Sequence, residues 1–246
     1  MAEESQGSSQ QHDGTPVLGQ TWQCTTTFTL QAANQPYRPT PTLTKPRASL
    51  HRAVVTGPAG KEIWTDRLGR VKVAFPWDRY HQNNEQSSAW LRVSSPWAGT
   101  HYGGIQIPRI GQEVLVDFEN ADPDRPIITG RVVNNTQLPP WELPDNQALS
   151  GLRSKELYGH QANHLILDDS EGHIQAQLSS DHALSQLNLG CITRVHDERG
   201  RNDRRGDGFE LRTDAQGVIR AKDGLLITTE ARVDAHSYVK SMGETL

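Results

Sequence analysis

The sequence predicts an all-β protein: a small closed barrel, then narrow strands that reach a full core only when other copies of the chain join them. Three observations carry that reading. The 246 residues are only 34% hydrophobic, with mean hydropathy −0.67 and with 21 Gly and 14 Pro, a turn-rich balance that suits strands better than packed helices. No stretch shows a long amphipathic helical period. Short runs with apolar residues at every second position recur instead, separated by Gly, Pro, Asn and Asp breakers.

The organising stretch is Thr65–Asp78, TDRLGRVKVAFPWD. It opens with a turn, Asp66-Arg67-Leu68-Gly69, in which Gly69 takes positive φ at no steric cost. A strand follows with Val71, Val73 and Phe75 on one face and Arg70, Lys72 and Ala74 on the other. Pro76, lacking an amide hydrogen, ends the ladder. Such a half-buried strand needs neighbours, and the flanking sequence offers five. They are Arg52–Val55, Trp90–Ser94, a weak Gly104–Ile107, Val114–Glu119 and Ile127–Val133. Breakers at Gly57-Pro58, Asn83-Asn84, Gly103-Gly104 and Asp122-Pro123 separate them. Strands this short and numerous favour a closed barrel over an open sheet. Its expected core is Val71, Val73, Phe75, Val114, Val116 and Phe118.

Beyond an irregular stretch from Pro139 to Gly159 the pattern changes. Asn163–Asp168, Gly172–Leu178 and Leu184–Leu189 read as narrow strands, polar on one side. Leu165, Leu167, Ile174, Ala176, Leu178, Leu187 and Leu189 would line the other side. That is too little apolar surface for one chain to bury alone, so these seven residues are the expected shared core of a β-helix or prism completed by other copies. The segment Thr193–Gly208 mixes both charge signs and reads as a solvated loop. Phe209–Leu211, Gly217–Arg220 and Leu225–Thr229 then read as further short strands. The chain end, after Met242-Gly243-Glu244-Thr245, reads as a cut.

The front of the chain is polar and rich in Gly, Ser and Gln, and it lacks the features of a secretory signal. Thr21–Leu30 reads as the last strand of a preceding domain, and Pro36–Pro46 as an extended linker. No apolar run approaches the roughly 20 residues of a membrane-spanning helix. Cys24 and Cys191 sit in unrelated contexts, so a reducing site of synthesis is expected. The net charge of −4 gives no reason to look for nucleic acid.

Candidate sites are few. His160 and His164 have metal-pair spacing, but the residues between them lack a general-base Glu and strand sequence follows, so both read as surface histidines. A calcium-loop likeness over Asp203–Asp214 fails because Arg205 stands at the third position and Asp214 at the twelfth. Arg199, Arg201, Arg204 and Arg205 could take phosphate, yet Glu198, Asp203 and Asp207 interleave with them. Trp64, Trp77, Trp90 and Trp97 could stack bases, although without a basic groove they read as packing residues. The acidic pairs Asp122/Asp124 and Asp168-Asp169 sit in turns, where Asp serves the backbone. No GxSxG elbow, P-loop or GxGxxG is present. No catalytic residue, metal site or cofactor is expected.

The runs GPAGKEIWTDRLGRVKVAFPWDR, SSAWLRVSSPWAG and GGIQIPRIGQEVLVDFENADPDRPIITGRVVN resemble the VgrG family, the spike proteins of bacterial type VI secretion systems. NHLILDDSEG and RGDGFELRTDAQGVIRAKDGLLITTEAR resemble the later part of the same family. The resemblance implies an OB-type barrel followed by an intertwined trimeric β-helix, a triangular prism. On that basis residues 1–47 are expected to hold a remnant of the preceding base domain and a Pro-rich linker. Residues 48–135 are the barrel, 136–160 a linker, and 161–246 the trimeric spike with the start of a C-terminal region. The implied function is structural and non-enzymatic. A homotrimeric needle would carry a PAAR-type tip protein or an effector at its C-terminal end. It would be assembled in the bacterial cytoplasm and exported through the secretion system. The family's base, which seats the spike on the secretion tube, is expected to be missing here, as in a fragment or a naturally short form. The alternatives are an OB-fold nucleic-acid binder and a spike-linked lytic enzyme.

Overall fold

In the computed structural model the described residues are 42–229, together with 25–28, 30, 32–36, 38 and 238. The chain divides into two units at Pro46/Arg47. In the first, the described residues include a turn closed by Gln35 N–H donating to the Ala32 carbonyl (2.9 Å). The expected strand at Thr21–Leu30 and the Pro-rich linker lie largely outside the described residues.

The described part of the second unit is strand and turn, with single 3-10 turns at Glu119–Ala121 and His182–Leu184. Its first sheet contains β1 (His51–Thr56), β2 (Lys72–Ala74), β3 (Arg92–Val93), β6 (Glu113–Phe118) and β7 (Pro126–Arg131), in the order β2-β1-β6-β7-β3. Neighbours are antiparallel except β3 and β7, which run parallel. The two edges meet outside the named strands. Val71 and Leu91 exchange both backbone hydrogen bonds, at 3.0 and 2.8 Å, and bring the barrel round on itself. A closed sheet has no free edge to guard, which is how strands of two or three residues persist.

Turn chemistry sets up this closure. Asp66 Oδ1 accepts from the amides of Leu68 and Arg70, both at 3.0 Å, and Gly69 follows with φ +72°. The turn thus delivers Val71, Val73 and Phe75 inward. They are buried together with Ala53, Val55, Leu91, Val114, Val116, Phe118 and Ile128. Register accounts for the set, since Val55 lies opposite Val73, Ala53 opposite Val114, and Val116 opposite Ile128. The expected strand at Gly104–Ile107 is absent. A small hairpin of β4 (Ala98–Gly99) and β5 (Tyr102–Gly103) stands just before it.

The second sheet is an antiparallel meander of β8 (Leu149–Arg153), β9 (Asn163–Asp168), β10 (Gln175–Ser180), β11 (Ser185–Val195) and β12 (Arg201–Arg212). Two expectations change here. The segment 136–160, read as linker, supplies β8, because Leu149–Arg153 pairs residue by residue with His164–Asp168. The charged run Thr193–Gly208, read as a solvated loop, is mostly strand. Its charges pair with one another instead of demanding a loop, Arg194 of β11 against Asp203 of β12 (2.8 Å) and Arg204 against Asp207 along β12. Residues 217–220 and 225–229, expected as strands, form none.

Barrel and meander are tied by one carboxylate. Glu62, in the loop after β1, accepts from Arg109 Nη1 and Lys155 Nζ, each at 2.7 Å, and Arg109 also donates to the Lys155 carbonyl. Lys155 lies two residues after the end of β8, so the contact fixes the root of the meander on the barrel.

Candidate assembly interface

The two faces of the meander differ in an unexpected sense. One face is buried and largely polar. His164, Ile166 and Asp168 of β9, Gln175 and Gln177 of β10, and Asn188 of β11 all lie inside. What covers them is the far half of β11. At Gly190 (φ +96°), opposite Gly208 (φ +119°), the pairing of β11 with β10 ends while its pairing with β12 continues. A Cβ at Gly190 would stand 2.4 Å from the Ile174 carbonyl oxygen, so the corner requires glycine. Past it, β11 returns across the inner face. Gln175 Oε1 accepts from the Thr193 amide (2.8 Å) and hydroxyl (2.6 Å), while its Nε2 donates to the Thr193 carbonyl (3.0 Å). Gln177 Nε2 donates to the Val195 carbonyl (3.1 Å). Two side-chain amides thereby stand in for a neighbouring strand and satisfy buried backbone groups that would otherwise be costly. Trp141, Ile166 and Val195 form a small apolar cluster beside this network. Asn146 locks the turn after β11 by donating to the Glu142 and Arg199 carbonyls and accepting from the Arg201 amide.

The opposite face is apolar and open. Register stacks Leu152, Leu165, Leu178, Leu187 and Leu211 in one row across all five strands. A second row runs Ser150, Leu167, Ala176, Leu189 and Phe209. Leu165 and Leu167 are each 47% exposed, Leu178 59% and Ile174 69%. Six of the seven residues expected as a shared core stand in these two rows, Ala176 and Leu187 half-buried and Leu165, Leu167, Leu178 and Leu189 exposed; the seventh, Ile174, is exposed just before β10. Sequence reasoning missed Leu152, Phe209 and Leu211 as members, because only the cross-strand register joins them to the rows. Together the exposed members present roughly 700 Å² of apolar surface, more than the largest patch of a typical monomer and close to one side of a standard interface.

The other candidates resolve differently. His160 is exposed, but His164 is buried at 2%, which corrects the surface reading; strand alternation turns it inward beside Ile166 and Asp168. Among the described residues no group of three or more His, Cys, Asp or Glu could hold a metal. Arg201 approaches the buried Asp168 (3.5 Å) and Arg205 donates to Glu210 (2.8 Å), so these guanidiniums are engaged within the sheet. Each tryptophan of the barrel has an intramolecular partner. Trp64 lies beside Trp90 with ring centroids 6.2 Å apart, Trp77 stacks on Phe75 at 4.9 Å, and Trp97 meets Tyr102 at 6.1 Å. Asp124 N–H donates to Asp122 Oδ1 (3.0 Å), and Ser170 donates twice to Asp168 Oδ1. Both acidic pairs thus support turns. Among the described residues no helix is long and apolar enough to cross a membrane.

Comparison with known proteins places both halves of this arrangement. Residues 52–132 match the family model described as the type VI secretion system/phage-baseplate injector OB domain. Residues 155–246 match the model of the type VI secretion system Rhs element Vgr. The chain is 50% identical over 200 residues to the Type VI secretion system spike protein VgrG2a of Pseudomonas aeruginosa, covering 81% of this chain and 23% of that protein. To VgrG2b of the same organism it is again 50% identical over 200 residues, which is 19% of that protein. It is 52% identical over 126 residues, 51% of this chain, to the Actin cross-linking toxin VgrG1 of Vibrio cholerae, and these make up 12% of that protein. The chain therefore spans about a quarter or less of the length of these relatives. With the injector barrel and the Vgr segment matched in order along one chain, it belongs to the VgrG family of type VI secretion system spike proteins.

Proposed function

We propose that this chain forms the barrel and the root of the shaft of a trimeric secretion spike, and that its role is mechanical and not enzymatic. The observation that carries this reading is the open apolar face of the meander. Its two in-register rows run from edge to edge of the sheet, while the same sheet spends its single-chain burial on Gln, Asn, His and Asp. Three copies that turned these faces toward one another would remove the leucines from water, and the shared core would contain Leu165, Leu167, Ile174, Ala176, Leu178, Leu187 and Leu189. The core would then belong to no single chain, so load along the shaft would have to separate all three together. The Glu62–Arg109–Lys155 contact would transmit that load between shaft and barrel.

On this reading the spike is assembled in the cytoplasm and leaves through the secretion system. A PAAR-type tip or an effector sits beyond the C-terminal end, and the secretion tube lies on the side of the barrel's N-terminus. Light scattering of the purified chain tests the trimer. The expected mass is near three times 27.4 kDa. A monomer at micromolar concentration would overturn the proposal.

A further inference from the structure

We propose that His164 is the trigger of an acid-sensitive latch that holds the returning end of β11 on the polar face of the meander. The latch lies within one chain and does not depend on the assembly proposed above.

The geometry is that of a neutral imidazole sealed at a seam. His164 sits on β9 with its side chain 1% exposed, and its Nε2 is 3.3 Å from Asp181 Oδ1. Asp181 is itself held in place, accepting from the Ala162 amide (2.7 Å) through Oδ2 and donating its own amide to the Ala162 carbonyl (3.0 Å). His164 Nδ1 has no partner among the described residues, and neither has the buried Nε of Arg153. Arg153 is directly opposite His164 across β8 and β9. His196, next to the Val195 whose carbonyl Gln177 holds, acts on His164 from the returning strand.

The charges around the imidazole are therefore Asp181 from the end of β10, Arg153 from β8 and His196 from the far side. Glu198 stands behind Arg153 at 3.8 Å and Asp197 behind His196 at 3.5 Å. With the His164 imidazole neutral, Arg153 alone faces the Asp181 carboxylate. A proton on His164 sets a second, buried cation beside Arg153 and against that one carboxylate. A cavity of about 410 Å³ lined by Gln177, Asp181, Arg194, Val195 and His196 admits water to this seam.

Burial holds the His164 imidazole below its ordinary value of 6.5; Asp181 opposes this, and Arg153 and His196 add to it. The sign follows from linkage. Below 6.5 the unfolded chain binds a proton that the folded chain refuses, so stability is full above that value and is lost as the pH falls. The seam is where that loss acts first, because the returning strand is held there by side-chain amides and not by a full ladder. Opening it would expose Val195, Ile166 and Trp141.

Hydrogen exchange of the purified full chain, corrected for intrinsic rates, provides the test. In the wild type, protection of the amides from Val195 to Arg201 should fall by at least about threefold between about pH 7.5 and about pH 5.5, about tenfold being the most that one imidazole of ordinary value 6.5 can supply over that range. His164→Gln keeps a donor for Asp181 but cannot titrate, and its protection should change by less than about twofold over the same range. An equal loss in both proteins, or none in the wild type, would overturn the latch. Should His164→Gln not fold, NMR titration of imidazole-labelled wild type decides instead. A His164 value clearly below that of an exposed histidine supports the proposal, and one at or above it defeats it.

Discussion

Replacing Leu178 with Asp separates the fold of one chain from the association of several. Leu178 lies on the central strand β10, between Leu165 and Leu187 in the leucine row, and is 59% exposed in the single chain. That exposure corresponds to about 100 Å², which at about 25 cal/mol per Å² is worth about 2.5 kcal/mol once covered. Within one chain the aspartate would meet water, and the expected change in stability is within about 0.5 kcal/mol. In a trimer the loss occurs three times, about 7 kcal/mol, or about five orders of magnitude in the assembly constant. Burying an unpaired carboxylate adds to that. Leu167→Asp, in the second row, should act in the same way. Sedimentation velocity across a dilution series is the measurement, with Tyr80→Asp as a control that places the same charge at a fully exposed barrel position. The variant should sediment as a folded monomer where wild type and control sediment as trimers. If Leu178→Asp stays trimeric, the leucine face is not the interface, whatever the oligomeric state of the wild type.

Three further outcomes are expected. Gly190→Ala should lower the thermal midpoint by the equivalent of about 2 kcal/mol or more, because a positive φ costs a side chain about 1–2 kcal/mol and its Cβ also meets the Ile174 carbonyl. Gly208→Ala opposite, whose Cβ would find open space, should cost only the backbone part; equal losses at the two sites would refute the corner geometry. Asn146→Ala should destabilise by about 1–3 kcal/mol, since the Arg199 carbonyl and the Arg201 amide lose their side-chain partner while the Glu142 carbonyl keeps the residue-146 amide, and chemical denaturation with unchanged slope would register it. Below pH 4.5 a second acid transition is expected from Glu210, whose carboxyl is held under its ordinary value by Arg205 first and Asn188 second. That stability is present above 4.5 and is lost as the pH falls through the folded value, so Glu210→Gln should flatten the lower part of the curve and leave the His164 part in place.

The barrel was legible in the sequence because its information is local. Alternation places Val71, Val73 and Phe75 on one face, Asp66 and Gly69 define the turn before them, and Val114, Val116 and Phe118 repeat the pattern. The bridge between Val71 and Leu91 was not legible, since one pair outside any strand leaves no periodic trace. In the meander, alternation identified β9 and both its faces, and only register could bring Leu152 and Leu211 into line with Leu165 and Leu178. The charged β12 was misread for a physical reason. Loops and exposed edge strands are both polar, and what distinguishes them here is pairing with β11, from Val195 opposite Arg201 out to Gln186 opposite Arg212. His164 was misread for a related one: its side of β9 is polar, and polar is normally outside.

That inversion is the central physical fact about the meander. A sheet that buried its leucines against its own hairpin and left its amides in water would be an ordinary monomeric domain. Here the intrachain layer is built from groups that satisfy one another at fixed geometry, Gln175 on Thr193 and Gln177 on Val195. Hydrogen bonds of this kind fix a shape more than they supply free energy, because each replaces bonds already made to water. The apolar surface, which could supply the energy, is held back from the chain's own fold and set out in two straight rows. Directional bonds therefore define the shape of each copy and leave the non-directional hydrophobic term available for joining copies. A meander built in this way would be poorly stable alone and firm in company, as a shaft assembled from separate chains requires. Concentration dependence of the thermal midpoint would show this, rising with protein concentration where assembly supplies the stability and staying flat where the single chain does.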